Sequence, residues 1–164
     1  DFGACMSPHS AWLILQGMET LPLRMERHLS NTEKIVDFLA AHPMVSRVGH
    51  PLMPTHPSRA IANQLLKGGA RGAGSVFSFD IKGTRAQGRA FIEALRLFSH
   101  LANVGDSKSL VIHPASTTHF RMTDDALSAA GIGAGTIRLS VGLEDPADLI
   151  DDLKRALRAA EKTA

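Results

Sequence analysis

The ten residues 136–145, TIRLSVGLED, constrain this chain more than any other stretch. Ile137, Leu139 and Val141 alternate with Thr136, Arg138 and Ser140, the period of two that marks a strand with one face in a core. One side of that strand is aliphatic, and the other presents an arginine between two hydroxyls. Asp145 and Pro146 then supply an N-cap and a first-turn proline, so the strand runs through a short turn into a closing helix. That helix turns Leu149, Ile150, Leu153 and Leu157 to one side. Its acids (Asp148, Asp151, Asp152) come early and its bases (Lys154, Arg155, Arg158, Lys162) late, the order that the helix dipole favours. An arginine on a rigid strand face offers a planar fork of donors fitted to a carboxylate or phosphate. A surface ion pair on a wet strand face fits the same pattern.

Upstream the chain reads first as helix. Ser7-Pro8 gives an N-cap and first-turn proline, and Ile14, Met18, Leu21 and Met25 follow at helical spacing, widened by Trp12 and Leu15. Pro22 implies a kink or break, and Ser30 with Glu33 has the capping-box spacing of a start or restart before Ile35, Val36 and Leu39. Apolar residues on more than one face of this stretch call for cover from both sides, more than a domain this small supplies. His42-Pro43 ends the helical segment. The division expected is therefore a helical linker over 1–42 and a domain over 43–164.

Within that domain, 45–49 and 75–81 are strand candidates, the second with Phe77, Phe79 and Ile81 on one face and Ser78 and Asp80 on the other. Three prolines make 50–58 an irregular loop, 60–66 a short helix, and the glycines at 68, 69, 72 and 74 a flexible lead into the next strand. The glycine spacing lacks the lysine signature of a phosphate loop. Thr84 caps a helix bearing Phe91, Ile92, Leu95 and Phe98. Two short strands, 101–104 and 110–112, flank a polar turn, and Thr123 caps a helix that Gly131 ends. The fold class expected is α+β, an α/β sandwich. A small, mostly antiparallel or mixed sheet carries helices on one face, after a long N-terminal helical segment. The open face should carry Arg138, Ser140, Ser78 and Asp80.

Composition narrows the function classes. The 164 residues are 44% hydrophobic and 21% charged, enough for one full core. Eighteen Lys+Arg against 16 Asp+Glu are scattered rather than blocked and Tyr is absent, which argues against a nucleic-acid surface. No apolar run reaches the length of a membrane span. The single cysteine, Cys5, makes no internal disulfide and suits a reducing, cytoplasmic setting. Four of the eight histidines stand in His-Pro steps, and none forms a metal-ligand motif, so no metal site is expected. No serine sits in a nucleophile elbow. Residue chemistry alone yields an anion-binding arginine and no catalyst. The opening Asp1 suggests a piece of something longer.

Three runs carry a resemblance. LQGMETLPLRMERHLSN (15–31) resembles the helix that follows the cofactor domain in O-acetylhomoserine sulfhydrylases. LFSHLANVGDSKSLVIHPASTTH (97–119) and IRLSVGLED (137–145) resemble the C-terminal domain of the same enzymes, in the same order. These are members of the cysteine/methionine-metabolism family of pyridoxal-phosphate enzymes, of fold type I. The resemblance implies that Arg138 holds the α-carboxylate of an amino-acid substrate and that Ser109 lies beside it. It implies pyridoxal phosphate as cofactor of the parent enzyme and O-acetylhomoserine as substrate. The reaction implied is γ-replacement of acetate by sulfide or a thiol, in a homo-oligomer, typically a tetramer. The family's Ser-x-Thr-Lys loop, glycine-rich phosphate turn and stacking aromatic have no counterpart here. This chain is therefore expected to supply the carboxylate clamp while a missing large domain supplies the cofactor, and to be inactive alone. Two alternatives stay open: a stand-alone interaction or small-ligand module with a vestigial site, and a domain of a sister cystathionine synthase or lyase.

Overall fold

The computed structural model describes residues 3–163; Asp1 lies outside them. Two helices lead. Helix α1 spans Pro8–Glu19, capped by the Ser7 hydroxyl, which accepts from the Ser10 N–H at 3.2 Å. Helix α2 spans Leu21–Ala41. The break between them falls at Thr20, so Pro22 stands in the first turn of a new helix, where its missing N–H costs nothing. Ser30 and Glu33 do not restart a helix, contrary to the capping-box spacing. With the restart already made ten residues earlier, Ser30 is interior and there is no free N–H for it to cap.

The remaining elements are β1 (Val45–Gly49), α3 (Arg59–Leu65), β2 (Val76–Ile81), α4 (Arg85–Ala94), β3 (Ser99–His100), β4 (Leu110–Ile112), α5 (Asp124–Ala129), β5 (Thr136–Ser140) and α6 (Pro146–Lys162). The five strands form one sheet in the order β1-β2-β5-β4-β3, antiparallel throughout except for the β3/β4 edge. The expected mixed, mostly antiparallel sheet is thus present. Its one apolar face carries Phe77, Phe79, Ile81, Ile137 and Leu139 against Ile35, Val36 and Leu39 of α2, Phe91 and Ile92 of α4, and Leu149, Leu153 and Leu157 of α6. The core therefore crosses residue 42. The second half of α2, expected as linker, is one of the three helices that cover the sheet.

Three local expectations differ from the structure. Helix α4 begins where Thr84 and Gln87 form a full capping box, yet it stops at Ala94, short of Leu95 and Phe98. The buried carboxylate of Asp152 on α6 accepts the N–H groups of Arg96, Leu97 and Phe98 at 2.8–3.2 Å and pulls them out of helical register. Residues 101–104 are not a strand; only Ser99 and His100 pair, and Leu101 and Val104 face solvent. The glycine cluster is an ordered 3-10 turn over Gly69–Gly72, fixed by the Asn63 side chain accepting the Ala70 N–H at 2.8 Å.

Helix α1 has no buried residue. Trp12, Leu15 and Met18 are 55%, 60% and 56% exposed, an uncovered apolar surface of the kind the sequence implied. No helix among the described residues is long and apolar enough to cross a membrane.

Candidate carboxylate-binding site

Arg138 sits in mid-β5 between Ile137 and Leu139, both fully buried, so alternation sends its side chain to the face away from the core helices, where Thr136 and Ser140, expected exposed, are themselves buried. Its register partners are Ser78 on β2 and Ile112 on β4. The guanidinium is half-buried, and its Nη2 donates to the Asn103 carbonyl at 3.3 Å. None of the five ion pairs among the described residues includes it. Asp80, the carboxylate on the same face, is taken by Arg47 Nε and the Thr136 hydroxyl, each at 2.6 Å. The fork thus keeps donors for an external anion.

Ser109 is fully buried and its groups are already engaged. Its N–H donates to Glu144 Oε1 at 2.6 Å, its hydroxyl donates to Oε2 at 2.8 Å, and the hydroxyl oxygen accepts the Gly142 N–H at 2.8 Å. The residue that the structure brings into hydrogen-bond contact with the arginine is Asn103. Asn103 was hidden by the apolar letters around it, which suggested a strand. The polar cluster from Asn103 to Ser107 was the available sign of a loop.

The turn that follows β5 is gripped from the other side. Four successive carbonyls accept from side chains of α2. His28 Nδ1 donates to Val141 O at 2.6 Å, and Asn31 Nδ2 to Gly142 O and Glu144 O at 3.0 and 2.8 Å. Arg27 donates to Leu143 O and Glu144 O at 3.3 and 3.2 Å. Asn31 Oδ1 is left as the one buried side-chain polar atom without a partner among the described residues. Gly142 is required by space alone: a Cβ there would stand 2.4 Å from Glu144 Oε2 and 2.5 Å from both Ser107 O and Ser109 N.

Two further buried histidines, His50 and His113, are held by hydrogen bonds within the protein. His50 accepts the Leu52 N–H at Nδ1, 3.1 Å, and approaches Gly74 O with Nε2 at 3.2 Å. His113 spans Ser116 and the Ala134 carbonyl at 2.8 and 2.7 Å, its ring lying where a side chain at Gly88 would have to go. Burial lowers the pKa of both below the ordinary imidazole value. Thr117, within the run 97–119, donates its hydroxyl to the His113 carbonyl at 2.8 Å, a local backbone contact. No group of three His, Cys, Asp or Glu among the described residues is arranged to hold a metal. A separate cleft of about 710 Å³, lined by Arg85, Arg89, Glu93 and Phe120, does not include Arg138.

The chain is similar to known proteins along nearly its whole length. Residues 1–158 match the profile described as Cys/Met metabolism PLP-dependent enzyme. The chain is 48% identical over 158 residues to an O-acetyl-L-homoserine sulfhydrylase of Leptospira meyeri, covering 96% of this chain and 35% of that one. Its fold superposes with a TM-score of 0.85, at 42% identity, on a crystal structure described as a putative O-acetylhomoserine (thiol)-lyase of Campylobacter jejuni, covering 96% of this chain and 37% of that one. A cystathionine gamma synthase of Xanthomonas oryzae pv. oryzae, crystallised with cystathionine, matches with a TM-score of 0.84 at 42% identity, covering 96% and 40%. The chain spans between a third and two fifths of the length of these relatives. It belongs to the cysteine/methionine-metabolism family of pyridoxal-phosphate-dependent enzymes.

Proposed function

We propose that this chain is the C-terminal, substrate-carboxylate domain of an O-acetylhomoserine sulfhydrylase, and that Arg138 receives the α-carboxylate of the amino-acid substrate. The observation that carries the reading is the arginine itself. It stands on a rigid strand, free of any acid, with one donor tied to a backbone carbonyl so that the guanidinium is oriented before a ligand arrives. A carboxylate accepts two parallel N–H bonds from such a fork. In this reading Ser109 serves the site through Glu144 and Gly142, both of which bond to it directly.

The residues here do not fit a holder for pyridoxal phosphate. All six lysines (34, 67, 82, 108, 154, 162) are solvent-exposed, and the buried imidazoles of His50 and His113 have both ring nitrogens engaged by the protein. The cofactor and its lysine belong, in this proposal, to the large domain that makes up the rest of the relatives' length. What this chain contributes is binding and orientation of the acid end of the substrate. The sulfhydrylase assignment rests on the similarity to the Leptospira meyeri enzyme. Similarity to a cystathionine gamma synthase, at 42% identity against 48%, supports a second reading, in which cysteine is the incoming thiol.

Two measurements test this. Arg138→Ala in the cofactor-loaded enzyme should reduce kcat/KM by a factor corresponding to about 2–4 kcal/mol, because it removes the charged partner of a bound carboxylate. Unchanged efficiency refutes the clamp. Competition between sulfide and cysteine for O-acetyl-L-homoserine separates the readings: homocysteine as main product supports the first, cystathionine the second.

A further inference from the structure

The segment 101–109 has almost no regular structure and is largely exposed, yet four points pin it to β5 and the turn beyond. Arg138 Nη2 donates to Asn103 O at 3.3 Å, and the Gly105 N–H donates to Ser140 Oγ at 3.2 Å. The Leu143 N–H donates to Ser107 O at 2.9 Å. At the end of the segment, the Ser109 N–H and hydroxyl both donate to the Glu144 carboxylate, at 2.6 and 2.8 Å. The first three are single bonds, two of them between neutral groups and one long. The fourth combines a pair of charge-assisted bonds, the strong kind, with the Gly142 N–H donating to the Ser109 hydroxyl oxygen at 2.8 Å, all at a fully buried residue. Glu144 belongs to none of the ion pairs among the described residues, so Ser109 supplies the donors that hold its charge. The Glu144 backbone is in turn fixed by Asn31 and Arg27 of α2.

We propose that Glu144 is a positioning residue for the carboxylate site: by bridging the two donors of Ser109, it holds the 101–109 segment so that the Asn103 carbonyl aims the Arg138 guanidinium. This rests on the reading that Arg138 binds the substrate carboxylate. Glu144 itself touches no ligand in this arrangement. Its carboxylate acts on the segment, the segment orients the arginine, and the arginine meets the substrate. Without that anchor the Asn103 carbonyl wanders, the guanidinium samples several rotamers, and binding bears the entropy of ordering it.

The test is steady-state kinetics on the cofactor-loaded enzyme with O-acetyl-L-homoserine. Glu144→Gln leaves one acceptor for two donors. It should raise KM on the order of ten-fold while kcat stays within about two-fold, the split expected when substrate and transition state lose the same binding. A purely structural role would instead reduce the amount of active enzyme, lowering the apparent kcat with KM intact, and that outcome overturns the proposal. In the 164-residue chain, the Ser109 amide proton should move upfield in the 1H–15N spectrum of the variant, and the Gly105 amide should exchange faster. Should Glu144→Gln fail to fold, Ser140→Ala removes a pin on the same segment without touching the turn. It should raise KM about three-fold, the size of one neutral hydrogen bond, and an unaltered KM overturns the proposal. Failures are distinguishable. If Arg138→Ala raises KM and Glu144→Gln does not, the positioning role alone falls. If Arg138→Ala leaves kcat/KM unchanged, the carboxylate reading beneath it falls.

Discussion

Asp152→Ala gives the most direct measurement of what ends α4. Asp152 lies in the middle of α6, only 2% exposed, and its carboxylate accepts three consecutive backbone N–H groups of the turn that links α4 to β3. The same carboxylate pairs with Arg155 one turn on. Hydrogen bonds to a charged group contribute roughly 1.5–3 kcal/mol each when the alternative is an unsatisfied donor. Arg96 and Leu97 are exposed, however, and water replaces the carboxylate at their N–H groups once it is gone. Phe98 is buried, and its N–H has no such recourse. The Arg155 pair, with an arginine 40% exposed, adds little after solvent screening. One full penalty and two reduced ones sum to about 3 kcal/mol, within a range of roughly 2–4. Urea unfolding followed by circular dichroism should show this as a lower midpoint at unchanged m-value. Asp151→Ala, next door but exposed and paired only with Lys154, should move stability by less than about 0.5 kcal/mol. If Asp152→Ala costs under about 1 kcal/mol, or no more than Asp151→Ala, the argument that this carboxylate ends α4 is refuted.

Three further outcomes are expected. Gly142→Ala forces a Cβ against two backbone atoms at 2.5 Å and should cost roughly 1–3 kcal/mol in the same assay, whereas Gly17→Ala, with nothing within 4 Å, should be neutral or stabilising. Burial lowers the pKa of His50 and His113, so the folded state binds fewer protons than the unfolded one below the ordinary imidazole pKa of 6.5. Their contribution to stability is therefore complete above pH 6.5 and lost as pH falls from there towards the folded values, and Tm should decline over that window. A His113→Gln variant should show a shallower decline. Finally, the isolated chain should self-associate through Trp12, Leu15 and Met18, and replacing all three with Gln should yield a monodisperse monomer by analytical ultracentrifugation.

What the sequence made legible follows from how local each signal is. The period of two in β2 and β5, the proline-marked starts of α1 and α6 and the Thr84 and Thr123 caps depend on residues within one turn or strand, and each is where the spacing put it. The end of α4 was not legible because its cause, Asp152, lies more than fifty residues away in the chain. The same holds at the site. Arg138 was readable from alternation alone, but its companion was not. The segment that carries Asn103 donates to Ser140 and Glu144 and accepts from Leu143, and no pattern around residue 103 announces these partners. The role of Glu144 was equally silent, since an acid in a turn before an N-cap reads as surface.

The grip of α2 on four successive carbonyls bears on how this enzyme family can be taken apart. His28, Asn31 and Arg27 precede every strand, yet they hold the exit of the strand that carries Arg138. A cassette cut at Pro43, where the helical punctuation invites the scissors, would carry the arginine away from the hands that keep its strand in place. Swaps between relatives should therefore be joined within α1, the stretch that shares nothing with the core, so that the long second helix travels with the sheet it braces.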